Sequence, residues 1–302
     1  MTRPPRHLTA NGEVVRITPN AARTMLIHGL LPVEDAGQFK PANLSAEAIV
    51  KLLHQANEVR NRTVSIAHVQ KLSRDMTAKN WLWTGDPIHV DRDGFVRNGQ
   101  HRLLAVVHSN TTQDFMVIRN LDPATQLVID VGRTRNAANQ MHMAQVNNAN
   151  LATPIANTLI RWRVGKALIS SFIPSVMEIH ELIQKEEEMP TAVAYLNQMR
   201  RAIRRAPLSA LGAAFIEAGH VDVKARDTFF NNLMTGADLA VDDPTLVLRN
   251  KMILPSTYSM KSRRGGQLYL IVHAWNTWRQ DKTMRSLRPP LSLTSENFPK
   301  MR

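Results

Sequence analysis

Apolar and polar positions alternate weakly in GEVVRIT, residues 12–18, and this period of two predicts a strand. Pro19 then opens a helical segment, NAARTMLIHG, that Gly29 closes. Residues 30–45, LLPVEDAGQFKPANLS, read as loop. Ser45 is placed to cap a helix running to about Arg60, with Ile49, Leu52, Leu53 and Ala56 on one face. Ser65 caps a second helix whose buried stripe is Ile66, Val69, Leu72 and Met76, ending near Asn80. Pro87 to Val90 and Phe95 to Arg97 are short apolar runs around Asp91-Arg92-Asp93-Gly94, a β-hairpin in which Gly94 takes positive φ. A polar loop, Asn98 to Arg102, leads into a helix beginning at Leu103. Strands are expected at Phe115–Asn120 and at Leu127–Asp130, with a brief helix after Asp122-Pro123 between them. Residues 136–145 read as helix.

Beyond residue 150 the period changes to that of helices alone. They are expected near 152–168, 175–188, 190–205, 208–218, 222–235, 244–253 and 266–281. Ser175 with Glu178 forms a capping box, and Asp243-Pro244 is a helix start. The expected architecture is α+β: residues 1–150 form a small mixed sheet with helices, and residues 151–302 form an all-α domain. No internal repeat is visible.

Composition narrows the classes. There is no cysteine, which removes disulfides, thiolate nucleophiles and cysteine zinc sites and agrees with a reducing cytoplasm. No apolar run reaches the roughly 20 residues of a membrane span, and MTRPPRHLTANGE lacks a signal-peptide core. A cytoplasmic protein without a membrane partner is therefore expected, and both nucleoid association and a homo-oligomer are compatible with the sequence. Thirty-eight Lys and Arg against 25 Asp and Glu give a net charge of +13, shared by both halves. Such a field attracts polyanions, and DNA is the expected partner; generic surface basicity is the plainer alternative. Aromatic residues are few, at 5%, which argues against a surface working mainly by base stacking.

The stretch with the most chemistry is DGFVRNGQHRLLAV, Asp93 to Val106. A glycine loop between a strand and a helix offers backbone N–H groups at the positive end of the helix dipole. Gly99 would let an anion approach the backbone, Arg102 can grip a phosphate bidentately, and His101 is the candidate for proton transfer. Gln100 can read a base or position a water. The plainer alternative is a turn at Asn98-Gly99 followed by solvated first-turn residues. The further glycines and the Lys-Ser/Thr pair of a P-loop are missing.

This run resembles the signature of the ParB N-terminal/sulfiredoxin-like superfamily, in the branch named for a DGQHR motif. In this chain the motif is Asn98-Gly99-Gln100-His101-Arg102, with Asn in the first position. The surrounding order is also similar to phage and actinobacterial ParB-like proteins: Asn61-Arg62, DMTAKNW, GDPI and DGFV, so the resemblance spans roughly residues 60–140. Members of that superfamily include CTP-hydrolysing DNA clamps, a free-serine kinase, ATP-dependent sulfiredoxins and nucleases, and they share a nucleotide phosphate at this loop. The resemblance implies that Asn98, Gly99, Gln100, His101 and Arg102 lie against the phosphates of a nucleoside triphosphate, its base left open. The absence of cysteine excludes sulfiredoxin chemistry. His101-Arg102 stands where ParB CTPases carry paired arginines, and no ParB helix-turn-helix order follows.

Four further groups support or qualify this reading. Asp130 can orient Arg102 or hold Mg²⁺ near a phosphate; equally, it can cap the next turn. Arg133, Thr134 and Arg135, behind Gly132, resemble a second phosphate clamp. Arg200-Arg201 and Arg204-Arg205 recur at i, i+4 as a basic helix face, and Lys261, Arg263 and Arg264 form a basic loop; both are candidates for nucleic-acid phosphate contact. Asp91 and Asp93 are expected to shape the hairpin rather than to hold a metal, and no His/Asp/Glu set has zinc spacing. His89 and His142 are expected to be structural, Trp275 and Trp278 core, and Glu186-Glu187-Glu188 surface. The expected activity is NTP hydrolysis or phosphoryl transfer, with His101, Arg102 and Asp130 as catalytic residues. A non-enzymatic DNA-binding regulator and a phosphodiester-cleaving nuclease are the alternatives.

Overall fold

The computed structural model describes residues 10–30, 44–55, 63–127, 136–253, 264–290 and 293–302. It divides into two compact units, Met1–Thr134 and Arg135–Arg302. The fold is mixed α+β and mostly helical: a four-stranded mixed sheet and twelve α-helices among the described residues.

In the first unit the elements are β1 (Asn11–Ile17), α1 (Pro19–Leu30), α2 (Ala46–Gln55), α3 (Ile66–Thr77), β2 (Ile88–Asp91), β3 (Val96–Asn98), α4 (Gln100–Ser109) and β4 (Gln113–Leu121). The sheet order is β1-β4-β2-β3. β1 runs antiparallel to β4, β2 parallel to β4, and β2 antiparallel to β3. The core places Ile17, Ile88, Val96, Phe115 and Val117 of the sheet against Leu26, Ile49, Val69, Leu103 and Leu104 of the helices. Leu103 and Leu104 are fully buried, and each such side chain contributes about 1.5–3 kcal/mol by leaving water. Leu104→Ala is therefore the single change best placed to loosen α4.

The hairpin forms as its sequence predicts, with Gly94 at φ 86°. Helix α4 starts earlier than the apolar pattern indicates, at Gln100 rather than Leu103. The reason is Gly99, which takes a left-handed conformation and turns the chain into the helix within one residue. Ser65 caps α3 as expected, its Oγ accepting from the His68 amide. Of the expected stripe, Val69 and Met76 are buried, whereas Ile66 is exposed at the first turn. After β4, a short 3₁₀ helix (Pro123–Leu127) holds Leu127, where the sequence pattern predicts the start of a strand; the rest of that expected strand, residues 128–130, lies outside the described residues.

The second unit contains α5 (Ala137–Met143), α6 (Ala149–Arg163), α7 (Val176–Lys185), α8 (Met189–Ala202), α9 (Leu208–Val221), α10 (Val223–Thr235), α11 (Pro244–Ile253) and α12 (Arg264–Trp278). Helix α5 packs with α6 in this unit, so the division at Thr134 falls ahead of a helix that the sequence pattern groups with the first domain. The capping box at Ser175 and Glu178 is present, and Asp243 accepts from the Thr245 amide at the start of α11. Trp275 is fully buried, edge-on to Phe229, and donates its indole N–H to the Arg302 carbonyl at 2.9 Å. No helix among the described residues is long and apolar enough to cross a membrane.

One surface expectation fails. In the Glu186-Glu187-Glu188 run, Glu186 is buried, because its carboxylate receives Arg163 Nη2 at 2.7 Å and lies 3.0 Å from His220 Nε2. Glu188 is also committed, to Arg226 at 2.6 Å; Arg226 is itself buried with its guanidinium over the Phe215 ring. A charge run in sequence says nothing about which member faces a cation on a neighbouring helix.

Candidate functional site

The chain is delivered to the NGQHR junction by a buried carboxylate. Asp91 Oδ1 accepts from the amides of Asp93 (2.9 Å) and Phe95 (2.8 Å), which closes the hairpin turn. Asp91 Oδ2 takes Arg97 Nε and Nη2, both at 2.5 Å, while the Asp91 side chain has no solvent exposure. Both oxygens are thus used in shaping β2 and β3, and Asp91 has none left over for a metal. Among the described residues, no group of three or more His, Asp or Glu is arranged to hold an ion.

Gly99 has φ 104° and is the N-cap of α4, with no side-chain hydrogen bond capping the helix. A Cβ at this position would meet Ile88 Cγ1 at 2.9 Å and Ile88 Cβ and Cγ2 at 3.3 Å. The space over the glycine is therefore filled by the neighbouring strand. Gln100 and His101 point inward, at 2% and 6% exposure. His101 Nε2 accepts from the Ser65 backbone N–H at 2.9 Å, and its ring stands edge-on to His68 with centroids 5.3 Å apart. An accepting Nε2 carries no proton, so this nitrogen works as an acceptor tying the start of α4 to the start of α3. The Arg102 guanidinium donates from Nη1 to the Asp86 carbonyl and from Nη2 to the Pro87 carbonyl, the latter at 2.7 Å. Arg102 thereby fixes the segment entering β2.

The structure thus brings Asn98, Gly99, Gln100, His101 and Arg102 together: Asn98 pairs with His89 across β2 and β3, Gln100 is buried, and Gly99, His101 and Arg102 are each committed to the fold. Asp130, Arg133, Thr134 and Arg135 lie outside the described residues, as do Lys261 and Arg263; Arg264 is the first residue of α12. Arg200, Arg201, Arg204 and Arg205 are all exposed, and none has an acidic partner among the described residues. They do not form one helix face. Helix α8 ends at Ala202, and Ile203 is extended (φ −130°, ψ 99°) and buried, so the second pair lies beyond the helix. Burying Ile203 in the core outweighs helix continuation at that point.

No protein-family model matches the chain, and no curated protein or solved structure does so either.

Two constellations escape sequence reasoning because their members sit on different helices. Ser73 Oγ lies 2.9 Å from His108 Nδ1, and His108 Nε2 lies 3.5 Å from Glu47. The residue types are those of a hydrolase triad, but Ser73 is only 4% exposed between α3 and α4, where no substrate carbonyl reaches it. Glu47 is held below the usual carboxylate range, first by a backbone hydrogen bond at its helix start, then by Ser45 and the His108 charge, against its partial burial. In the second unit, Arg163 joins Glu186 to Glu217, with Nε 2.7 Å from Glu217. Burial opposes the Arg163 charge, but the two carboxylates prevail and raise its pKa above the ordinary arginine value. A groove of about 330 Å³ beside it is lined by Ile160, Arg163, Glu178, Glu181, Leu182, Lys185 and Glu186. Its charges largely answer one another: Glu181 pairs with Lys185, and Glu178 closes the capping box.

Proposed function

We propose that this chain is a non-enzymatic nucleic-acid-binding protein of ParB-like type that grips phosphates with exposed arginines. The observation that carries the reading is the set Arg200, Arg201, Arg204 and Arg205: four exposed guanidiniums without acidic partners among the described residues, in a chain of net charge +13. Unpaired arginines are free to exchange counterions for phosphate oxygens. A purely structural set would be expected to find carboxylates, as Arg163 and Arg226 do. DNA is the expected polymer, and the ParB-like assignment rests on the Asn98–Arg102 run and its neighbours.

A second reading, a nucleoside triphosphate at the start of α4 with Mg²⁺ as companion, is favoured by one observation: no side chain caps that helix. Against turnover there stand the committed Nε2 of His101 and the carbonyl-bound Arg102.

The test is duplex DNA binding by fluorescence anisotropy at several salt concentrations. Four phosphate contacts contribute about 3.6 to the log–log salt slope, so replacing all four arginines by alanine lowers it by about that amount. An unchanged slope refutes the assignment of these arginines. Phosphate release from a nucleoside triphosphate with Mg²⁺, lost in His101→Ala, replaces the non-enzymatic reading with the catalytic one.

A further inference from the structure

Residues 298–302 lie along α6 and α12 with their main chain held by side chains. Trp162 Nε1 donates to the Pro299 carbonyl at 3.3 Å, and Trp275 Nε1 donates to the Arg302 carbonyl at 2.9 Å. Between them Asn276 uses both ends of its amide. Its Nδ2 donates to the Lys300 carbonyl at 2.8 Å, and its Oδ1 accepts from the Arg302 N–H at 3.0 Å. A two-ended contact of this kind reads backbone, whatever side chain lies between. Two apolar anchors set the register. Phe298 stands edge-on to Trp162 and to Tyr269, with centroids 6.3 Å apart in each case, and Met301 is buried in the core. Lys300 and Arg302 are exposed. The groove thus selects extended main chain with apolar side chains three residues apart. It is costly to leave empty: Trp275 is fully buried, and its indole N–H would lose its acceptor if the segment left. An equivalent segment from elsewhere satisfies it equally well.

We propose that this groove is a docking site for residues 298–302 of a second copy, so that two chains join by exchanging the segment. The tether permits it. Upstream, Met284 and Leu287 are buried in the core, and the Met284 N–H donates to the Asp242 carbonyl at 2.7 Å. Residues 288–297 form no helix or strand among those described. Within them Pro289 and Pro290 have no amide hydrogen to commit, and the Thr294 N–H donates to Asn297 Oδ1 at 2.7 Å, a bond internal to the stretch. Fully extended, the stretch spans at most about 33–36 Å, beyond the roughly 30 Å diameter of a small domain. A second copy is the occupant because the sequence seated in the groove is the chain's own, and each copy supplies one groove and one segment. Exchange keeps every contact of the groove and changes only which chain provides it. The chain's own segment competes at an effective concentration in the millimolar range, so the wild type is mostly closed on itself in dilute solution.

The experiment mixes two variants of the full chain and reads their association by sedimentation. One carries Phe298→Ala and Met301→Ala, which strip the anchors and leave the groove intact. The other carries Trp162→Phe and Asn276→Leu, which remove three of the four main-chain bonds and leave the segment intact. In the mixture the intact segment of one variant enters the intact groove of the other, with no strong competitor on either side. Dimers should therefore appear at a concentration about ten-fold or more below that at which either variant, or the wild type, dimerises alone. A mixture that stays monomeric over that range overturns the proposal. Dimers formed equally well by each variant alone do so too, because the contact then lies elsewhere. Should either variant fail to fold, amide exchange of the wild type decides. Residues 298–302 should exchange about ten-fold or more faster than the slowest amides of α12, because the segment opens by itself. Equal protection shows that it opens only with the whole unit, and the proposal falls.

Discussion

Replacing Gly99 by alanine separates the two reasons a glycine can stand at the head of α4. One is to let a ligand approach the backbone; the other is to let the protein pack on itself. Two costs follow from the structure. The left-handed conformation at φ 104° penalises any Cβ by about 1–2 kcal/mol. The new methyl also meets Ile88 Cγ1 at 2.9 Å in a packed core, an overpacking that costs about 1–3 kcal/mol. The sum is about 2–5 kcal/mol, felt in the first unit. Hydrogen exchange of α4 amides, followed by mass spectrometry, reads this locally without assuming that the two units unfold together. The decisive comparison is a double-mutant cycle with Ile88→Ala, which removes Cγ1 and Cγ2. In that background Gly99→Ala should cost only the conformational part, about 1–2 kcal/mol, leaving a coupling of about 1 kcal/mol or more. Equal costs in both backgrounds refute the steric account. A Gly99→Ala chain with unchanged exchange but weakened nucleotide binding shows that the glycine serves a ligand.

Asp91→Ala strips the partly buried Arg97 guanidinium of its fully buried carboxylate and also opens the hairpin turn, at a cost of about 3–5 kcal/mol in exchange protection of β2 and β3. A loss below about 1 kcal/mol, the range of an exposed ion pair, contradicts this account of the Asp91 carboxylate. Arg102→Ala removes two charge-assisted bonds to the Asp86 and Pro87 carbonyls, worth about 1.5–3 kcal/mol each at most, and should raise exchange across residues 83–90 with α3 unaffected. His273 is partly buried, and desolvation lowers its pKa below the ordinary 6.5. Its charged form is thus disfavoured in the folded chain, so the unfolded chain binds more protons as the pH falls through about 6.5. This contribution to stability is present above that pH and lost below it. Urea midpoints measured between about pH 5 and pH 8 should rise with pH, and His273→Phe should flatten part of that rise. An unchanged profile in the variant excludes His273 as the source.

Local signals were legible where one element settles its own geometry. Ser65, Ser175 and Asp243 mark helix starts because a cap is satisfied within a few residues, Pro19 does so because its fixed φ suits the first helical position, and Asp93-Gly94 marks a hairpin because positive φ is a local demand. The positions of Gln100 and His101 were not legible in the same way. Both look like polar loop residues, and they become buried because α4 begins under the sheet and Ser65 offers an amide from 36 positions away in sequence. The same holds for Glu186, whose burial depends on Arg163 and His220 from two other helices. The four arginines show the opposite error. Their spacing of four suggests a continuous face, but the spacing cannot register that Ile203 gains more from the core than from helix continuation.

The commitments of Arg102 constrain any chemistry at this junction. An anion that recruits the guanidinium must take it from the Asp86 and Pro87 carbonyls, which then need other donors or water. That exchange costs up to a few kcal/mol and sets a ceiling on the affinity gained from the new charge-assisted bonds. It also frees the segment entering β2, so anion binding at Arg102 and order in that segment are thermodynamically linked. If a phosphate is met by the backbone amides of α4 alone, the clamp stays closed. Inorganic phosphate titrated while the amide exchange of residues 83–90 is followed distinguishes these cases. In the first, exchange in that segment rises with phosphate in the wild type, and the rise is absent in Arg102→Ala, because there is no longer a clamp to open. In the second, exchange changes no more with phosphate than with a neutral salt of the same ionic strength.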